Sequence, residues 1–208
     1  MPLLPPIEYD AAEPAAKLIW DHIKTRDGGD PSVELKMFGR SPAAMRDVYD
    51  ASTRVAAEFA DGPLDEKQIE AIRLAVSSAN NCVHCVRAHS KRAMKVGWSE
   101  AEVSDILAIA AECAMLNYYH RHRDLVGEAD GLPADSGLPH SAITQPDRLE
   151  PMLVELICMA VSSAMSCPKC TRYHREQALQ LGATPEHLHQ TVRAAAVMTL
   201  YNTFFRTQ

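Results

Sequence analysis

Apolar residues recur along most of the chain with the spacing of helix faces. The segment 66–79 shows this spacing at Ile69, Ile72, Val76 and Ala79. No segment shows a convincing run of the apolar–polar alternation that is typical of half-buried strands. The pattern therefore predicts an all-α fold.

Residues typical of helix starts mark where the predicted helices begin. Ser41 precedes a proline, which is the order of an N-cap followed by the first helical position. Asp65 with Gln68 has the spacing of a capping box, and so does Ser99 with Glu102. We therefore expect helices to begin directly after residues 41, 65 and 99.

A long polar segment separates two helical parts of the chain. Residues 121–148 are rich in Gly, Pro, Asp and Ser, which predicts a connector or exposed loop. The chain then divides into an N-terminal arm (1–40), a first helical unit (41–120), this connector and a second helical unit (149–208). We expect one compact domain overall and refer to the two helical units as the first and second repeat.

The second repeat is a copy of the first. A shift of 85 residues places residues 64–99 over residues 149–184 without a gap. The sequence AVSSA occurs in both, and the matched chemical groups are Glu70 with Glu155, Cys82 with Cys167, Cys85 with Cys170, and His89 with His174. An ungapped match of this length indicates an internal duplication, with the same reactive residues in each copy.

Composition excludes several classes of partner. The chain carries a formal net charge of −6, so it lacks the basic surface that nucleic-acid binding requires. No apolar run approaches the roughly 20 residues that cross a bilayer. The N-terminus is proline-rich and acidic, unlike a secretory signal, and we therefore expect a cytoplasmic protein. Disulfides there are usually catalytic or transient, which favours redox or metal chemistry for the six cysteines.

The cysteine pair and the histidine of each repeat share one helix face. Cys82, Cys85 and His89 stand at positions i, i+3 and i+7 if a helix begins at the pair. Thiols in a first helical turn have their pKa lowered from about 8.5 into the range ~3.5–7.5. The histidine can accept the proton of Cys85, and the neighbouring cysteine can capture an oxidised sulfur as a disulfide.

A glutamate lies upstream of each pair. Glu155 is the only charge in the apolar stretch LVELICMAV, so we expect it to be buried near a partner or to have a raised pKa. Glu70 has a simpler explanation, which is an i,i+3 salt bridge to Arg73. Cys158 replaces this arginine in the second repeat while the glutamate remains, which favours a proton-handling role.

The combination of glutamate, Cys-x-x-Cys and histidine resembles the AhpD-like alkylhydroperoxidases of the carboxymuconolactone decarboxylase-like superfamily. The match covers residues 70–89 and again residues 155–174. The resemblance implies an AhpD-like helical fold, a homo-oligomer that is trimeric or dimer-based, and a hydroperoxide substrate. It also implies recycling by a lipoyl- or thioredoxin-like thiol reductant, and no flavin, haem or metal cofactor.

The resemblance further implies a role for each site residue. The peroxide-attacking cysteines would be Cys85 and Cys170, and the resolving cysteines Cys82 and Cys167. The proton relays would be Glu70 with His89 and Glu155 with His174, acting through a water. Within the pairs, His84 and Lys169 are expected to modulate the thiols. We favour the first repeat as the working copy because its CVHC sequence matches the family more closely than CPKC does.

Four alternatives stay open. A disulfide oxidoreductase needs the same residues as a peroxidase, and a redox-sensing module would use the pair without turnover. A four-thiolate zinc site would require two cysteine pairs, separated by 81 residues, to meet. Lactone decarboxylation is disfavoured because that branch of the superfamily lacks the cysteine pair. The two remaining cysteines, Cys113 and Cys158, are interpreted as small buried hydrophobic residues.

Overall fold

A computed structural model describes residues 5–126, 133 and 135–206. These residues contain no strand and form ten α-helices. A short 3₁₀ turn, Tyr9–Ala11, comes before the first of them. The helices are α1 (Pro14–Asp27), α2 (Val33–Phe38), α3 (Pro42–Ala60), α4 (Glu66–Ala79), α5 (Val83–Lys95), α6 (Glu100–Val126), α7 (Ser141–Thr144), α8 (Pro151–Ala164), α9 (Pro168–Gln180) and α10 (Pro185–Arg206). The predicted all-α fold is confirmed.

The chain divides into two compact units. One contains the chain up to Glu58, with α1, α2 and most of α3, and the other spans Phe59–Arg206. This division falls at a different position from the predicted limit after residue 40, and the predicted domain limits stay predictions. The reactive residues of both repeats all lie in Phe59–Arg206.

The N-terminal unit packs through one face of α1. Ile19, Trp20 and Ile23 are buried there at helical spacing. The indole N–H of Trp20 donates to Oδ1 of Asp30 at 3.2 Å, so the polar edge of the ring is satisfied.

The helix starts predicted from capping residues are confirmed. Oδ1 of Asp65 accepts the backbone N–H of Gln68 at 2.7 Å, and Oε1 of Gln68 accepts the backbone N–H of Asp65 at 3.1 Å. Ser99 and Glu102 form the same reciprocal pair ahead of α6. Each box satisfies backbone donors that a helix start would otherwise leave unpaired.

Helices α4 and α8 form the centre of the larger unit. They pack against each other, and each also packs against α6 and α10. Their side chains Ile72, Leu74, Leu156 and Ile157 are fully buried. Burial of one such side chain stabilises the fold by roughly 1.5–3 kcal/mol relative to exposure. The two matching helices of the duplication therefore provide a rigid base for the glutamates that they carry.

The same tight turn connects each central helix to its cysteine pair. Asn81 and Ser166 both have φ of 56°, in the left-handed region that few non-glycine residues adopt. Each following cysteine donates its backbone N–H to the preceding helix, from Cys82 to the Ser77 carbonyl at 3.1 Å and from Cys167 to the Ser162 carbonyl at 2.9 Å. The two cysteine pairs thus follow turns with the same backbone conformation and the same backbone hydrogen bond.

Part of the predicted connector is helical. Helix α6 continues to Val126 and so includes the first six residues of the predicted connector, and α7 also lies within the connector. Residues 127–132 and 134 lie outside the described part of the chain. Ile143 is buried, and its backbone N–H donates to Oε2 of Glu112 at 3.2 Å, so this part of the connector packs against α6. No helix among the described residues combines the length and apolar character needed to cross a bilayer.

Candidate functional site

In the first repeat, a buried glutamate orients the histidine. Oε2 of Glu70 on α4 lies 2.7 Å from Nδ1 of His89 on α5. The two residues are only 3% and 5% exposed. Since one ring nitrogen of His89 is engaged by the carboxylate, the other nitrogen is available for proton exchange.

Arg73 binds the other oxygen of the same carboxylate. Its Nη1 donates to Oε1 of Glu70 at 2.5 Å, which confirms the predicted i,i+3 salt bridge. Burial favours the neutral acid, but the hydrogen bonds and charges of His89 and Arg73 outweigh it and hold the pKa of Glu70 below its ordinary value. The glutamate is therefore ionised, and its carboxylate binds His89 through one oxygen and Arg73 through the other.

Cys82 and Cys85 are joined as a disulfide, with their Cα atoms 5.2 Å apart. Both residues are buried, and Cys82 is the N-cap of α5. The backbone N–H of Cys85 donates to Sγ of Cys82 at 3.3 Å. The electrostatic effect of the helix start therefore acts most directly on Cys82.

The residues between the cysteines differ in the two repeats. His84 is exposed, and its ring stacks on Phe205 of α10 with centroids 4.8 Å apart. Lys169 is exposed and lies in the wall of a cavity next to Cys170. A modulating role for either residue stays a prediction.

The second repeat reproduces the glutamate–histidine contact without the arginine. Oε2 of Glu155 on α8 lies 2.7 Å from Nδ1 of His174 on α9. Cys158 stands where the first repeat has Arg73, and it is fully buried. As predicted, Glu155 lies against a partner, and the side chain of Glu155 is 16% exposed.

Cys167 and Cys170 are free thiols. Burial raises the pKa of the Cys170 thiol above its ordinary value, and the hydrogen bond with Cys167 raises it further. This is opposite to the low pKa expected from a position in the first helical turn. The thiol is 6% exposed, so the loss of hydration outweighs the favourable position.

Two cysteines that were interpreted as hydrophobic lie against His174. The Sγ atoms of Cys113 and Cys158 and a ring nitrogen of His174 all lie within 4.8 Å of one another. The predicted burial is confirmed, since Cys113 is 1% and Cys158 is 0% exposed. The interpretation as apolar filling is wrong, because Cys113 has polar contacts to Ser162 and Asn117 at 3.4 and 3.6 Å.

This sulfur cluster changes the proton affinities around it. The hydrogen bond from Cys158, together with His174 and Ser162, outweighs burial and lowers the pKa of Cys113 to about 5. Burial lowers the pKa of His174, but Cys113 and Glu155 outweigh it and raise this pKa to about 9. Cys113 and His174 therefore favour a thiolate–imidazolium pair near neutral pH.

The duplication contained a signal for these cysteines. Under the 85-residue shift, Cys158 matches Arg73 and Cys113 matches Met198. Cys113 belongs to the first repeat and Cys158 to the second, and each differs from the residue at the matching position of the other repeat. Both thiols lie against His174. The repeats therefore differ at both positions, but it is the packing of α6 against α8 that brings the two cysteines together.

The alternative four-thiolate zinc site is not formed by the two Cys-x-x-Cys pairs. Within the described ranges, the one group of three or more potential metal-ligating side chains is Cys113, Cys158 and His174. The pairs belong to separate helix starts, on α5 and α9, that the repeats hold apart.

A cavity of about 520 Å³ borders the second repeat. Its wall includes Glu155, Cys170, His174 and the exposed Tyr173, and part of it is formed by residues between Asp135 and Pro146. A more polar cleft of about 630 Å³ borders the first repeat, where it reaches Glu70 between Lys67 and Arg92. Both glutamates therefore line cavities.

The predicted site residues fall into two clusters. The first contains Glu70, Cys82, Cys85 and His89, and the second contains Glu155, Cys167, Cys170 and His174. Their chemical roles stay predictions. Arg73, Cys113 and Cys158 are polar partners that the predicted set did not include.

Comparison with known proteins identifies relatives of both repeats. The Carboxymuconolactone decarboxylase family profile matches residues 42–117 and 137–206, one segment for each repeat. "Alkyl hydroperoxide reductase AhpD" of Anaeromyxobacter sp. (strain K) is 35% identical over 98 residues, which is 47% of this chain and 52% of that protein. The chain thus spans about half the length of this relative. The protein of the same name from Anaeromyxobacter sp. (strain Fw109-5) is 31% identical over 157 residues, covering 76% of this chain and 82% of its own.

A solved structure has the same fold. An uncharacterized peroxidase-related protein from Ralstonia eutropha JMP134, described as an alkylhydroperoxidase AhpD core, superposes with a TM-score of 0.54. The superposition covers 98% of this chain and 87% of that one at 19% identity, which supports the fold alone. The family profile matches both repeats, and the solved structure has the same helical architecture. The chain therefore belongs to the carboxymuconolactone decarboxylase family and has an AhpD-like fold.

Proposed function

We propose that the protein is a thiol-dependent peroxidase that reduces hydroperoxides with the Cys82–Cys85 pair. The observation that carries the proposal is a bonded cysteine pair at the start of α5, on the same helix as a histidine that Glu70 holds at 2.7 Å. Curated relatives named alkyl hydroperoxide reductase AhpD support this activity for the family.

The reaction uses one peroxide and one external dithiol. The Cys85 thiolate attacks the outer peroxide oxygen, the O–O bond breaks, and the alkoxide leaves as an alcohol after taking a proton. The resulting sulfenic acid at Cys85 is attacked by Cys82, which forms the disulfide and releases water. A lipoyl- or thioredoxin-like dithiol then reduces this disulfide and becomes oxidised itself.

Glu70 and His89 supply the proton chemistry in this scheme. His89 accepts the proton of the Cys85 thiol and later donates a proton to the leaving alkoxide. Glu70 fixes the ring by its contact with Nδ1 and stabilises the imidazolium form. Arg73 keeps the carboxylate ionised, since its charge contributes to the low pKa of Glu70.

The hydrogen bond at the helix start assists the reductive half of the cycle. When the reductant attacks the sulfur of Cys85, the sulfur of Cys82 leaves as a thiolate. The backbone N–H of Cys85 already donates to that sulfur at 3.3 Å. A stabilised leaving thiolate accelerates thiol–disulfide exchange.

Two features make the first repeat the better candidate for turnover. His174 of the second repeat is shared with Cys113, whose hydrogen bond and charge act on its ring. Burial also raises the pKa of Cys170, which disfavours the nucleophilic thiolate. We therefore assign the principal activity to the first pair and a slower or absent turnover to Cys167 and Cys170.

A matched pair of variants tests this assignment. The reduced protein is supplied with dihydrolipoamide or a thioredoxin system, and the steady-state loss of an alkyl hydroperoxide is measured for Cys85→Ser and Cys170→Ser. We expect Cys85→Ser to fall to the uncatalysed rate and Cys170→Ser to retain most of the activity. If neither substitution lowers the rate, the peroxidase proposal is wrong.

The same assay separates the other candidate functions. A redox-sensing module would form the Cys82–Cys85 disulfide once per chain, without continued peroxide consumption. A disulfide oxidoreductase would turn over a disulfide substrate faster than a peroxide with the same reductant. Both outcomes would require the proposed substrate to be replaced.

A further inference from the structure

The donor set around His174 is suited to a metal ion. Two thiol sulfurs and one imidazole nitrogen lie within 4.8 Å of one another, and all three residues are buried. Zinc binds thiolate sulfur at about 2.3 Å and histidine nitrogen at about 2.0–2.1 Å in a tetrahedral arrangement. The ligand atoms around a zinc ion therefore lie roughly 3.4–3.8 Å apart, so shifts of about an ångström would bring these three side-chain atoms to ligand distances.

The residues around the donors match a metal site's outer shell. Oε2 of Glu155 lies 2.7 Å from Nδ1 of His174, which fixes the ring and directs its other nitrogen toward the sulfurs. A carboxylate behind a ligating histidine is a recurrent feature of zinc sites. The side-chain amide of Asn117 donates to Sγ of Cys113 at 3.6 Å, as expected for support of a thiolate ligand.

Charge balance also favours a divalent cation. Two thiolates and one divalent ion sum to zero, and the neutral imidazole adds no charge. Cys113 and Cys158 are almost completely excluded from solvent, and unpaired charge is costly in such a place. A borderline-soft divalent ion such as zinc would therefore neutralise the thiolates that burial otherwise disfavours.

The positions that match the two cysteines lack thiols. They hold Arg73 in the first repeat and Met198 in the second, and Arg73 binds the carboxylate of Glu70. Residue differences at two positions thus distinguish the two sites. In one site an arginine binds the glutamate, and in the other two thiols lie against the histidine. Cys113 on α6 of the first repeat and Cys158 on α8 of the second both face His174, so the candidate site takes one sulfur from each repeat.

We propose that Cys113, Cys158 and His174 bind one zinc ion, a site distinct from the Cys-x-x-Cys pairs. Three protein ligands leave the fourth position of the tetrahedron for water or an external ligand. His174 lies in the wall of the 520 Å³ cavity, which provides a route for the ion from solvent. The proposal goes beyond the peroxidase function, which uses His89 and the first pair.

The test uses the full-length reduced protein after removal of metal with a chelator. Cobalt is added first, because thiolate-to-cobalt charge-transfer bands report sulfur ligation, and zinc is then used to displace it. We expect one equivalent of either ion. The matched variants are Cys158→Arg and Cys113→Met, which introduce the residues that the other repeat holds at the matching positions. Each should weaken binding at least a hundredfold while the helical circular dichroism is unchanged.

A second set of variants distinguishes this site from the cysteine pairs. Replacement of Cys82, Cys85, Cys167 and Cys170 by serine should leave one equivalent bound with the same affinity. Loss of metal from that variant, or retention by Cys158→Arg, would overturn the proposal. If Cys158→Arg does not fold, Cys158→Ser provides the same comparison with a smaller change.

Two further changes make the proposal sharper. Glu155→Gln should weaken zinc binding about 10–100-fold while preserving its stoichiometry, because it acts on the ligand histidine from the outer shell. Introducing both Arg73→Cys and Met198→Cys should create a second equivalent at His89. A folded double variant that still binds one ion would contradict the sufficiency of this donor set.

Discussion

The side-chain carbonyl of Gln190 accepts the backbone N–H of Leu64 at 2.9 Å, across 126 residues of sequence. Both residues are buried, at 6% and 1% exposure. The bond connects α10 of the second repeat to the segment that leads into α4 of the first. It therefore links the two halves of the duplication through one amide group.

Removal of this amide should destabilise the protein. Gln190→Ala leaves a buried backbone N–H without an acceptor, which costs about 1–3 kcal/mol. Urea unfolding measures the change, and Gln180→Ala on the exposed end of α9 is the control, expected within about 0.5 kcal/mol of the parent. Equal effects of the two substitutions would show that the Leu64 contact contributes nothing.

Gly62 should be sensitive for the same reason. A Cβ atom at this position would overlap the side-chain amide of Gln190, which must then move away from Leu64. We expect Gly62→Ala to destabilise the parent but to have a much smaller effect in a Gln190→Ala background. A double-mutant cycle by urea unfolding measures this coupling, and simple additivity would contradict the steric explanation.

The two AVSSA sequences should respond differently to loss of a hydroxyl group. Oγ of Ser162 donates to Oδ1 of Asn117 at 3.0 Å, and Ser162→Ala leaves that buried oxygen without this donor at a cost of about 1–3 kcal/mol. Oγ of Ser77 donates to the Arg73 carbonyl of its own helix, so Ser77→Ala should be nearly neutral. Thermal unfolding compares the two, and a larger loss at Ser77 would contradict this reading.

Glu70 should make stability depend on pH in the acidic range. Its folded-state pKa is below the ordinary value of 4.5, so its contribution is present above 4.5 and is lost as the pH falls through the folded value. Glu70→Gln should therefore show a flatter decline in the free energy of unfolding below pH 4.5 than the parent. Parallel curves for the two proteins would exclude Glu70 as the source of the dependence.

Cys113 should titrate as an unusual thiol in the reduced, metal-free protein. With a pKa of about 5, it is a thiolate at neutral pH and should lose its ultraviolet thiolate absorbance as the pH falls through that value. Cys113→Ser should remove the part of the thiolate signal that titrates near pH 5. Cys170→Ser should not, because burial raises the pKa of Cys170. An unchanged titration near pH 5 in Cys113→Ser would assign that thiolate to another cysteine.

His89 should control the rate of peroxide reduction rather than the fold. His89→Gln removes the proton acceptor and should slow steady-state turnover by about 10²–10⁴-fold. The measurement includes the pH–rate profile, which should lose the dependence contributed by the imidazole. His189→Gln, at an exposed position on α10, is the matched control. A normal rate in His89→Gln would exclude the proposed relay.

Much of the helical fold follows from local sequence. The capping boxes at Asp65 and Ser99 and the apolar stripe of α4 are short-range signals, and the structure has helices where they indicate. The extension of α6 to Val126 was missed because HRHRDLV lacks an apolar stripe, although its residues are compatible with a helix. Local patterns also contain no information on how the chain divides near Glu58.

The site was predictable only within each repeat. Glu70 and His89 are 19 residues apart on consecutive helices, and the motif spacing was enough to associate them. Cys113 and Cys158 are 45 residues apart and meet only because α6 packs against α8. Such a contact depends on tertiary packing, which spacing along the chain does not encode.

The duplication allows the two sites to evolve separately. A symmetric dimer of single-repeat chains must carry every substitution twice, so arginine and cysteine could never occupy equivalent positions in the same assembly. Here one polypeptide holds both copies, with Arg73 in one and Cys158 in the other. Because both repeats lie in one polypeptide, a substitution that would alter both sites of a homodimer can change one half while the other half keeps its own residues.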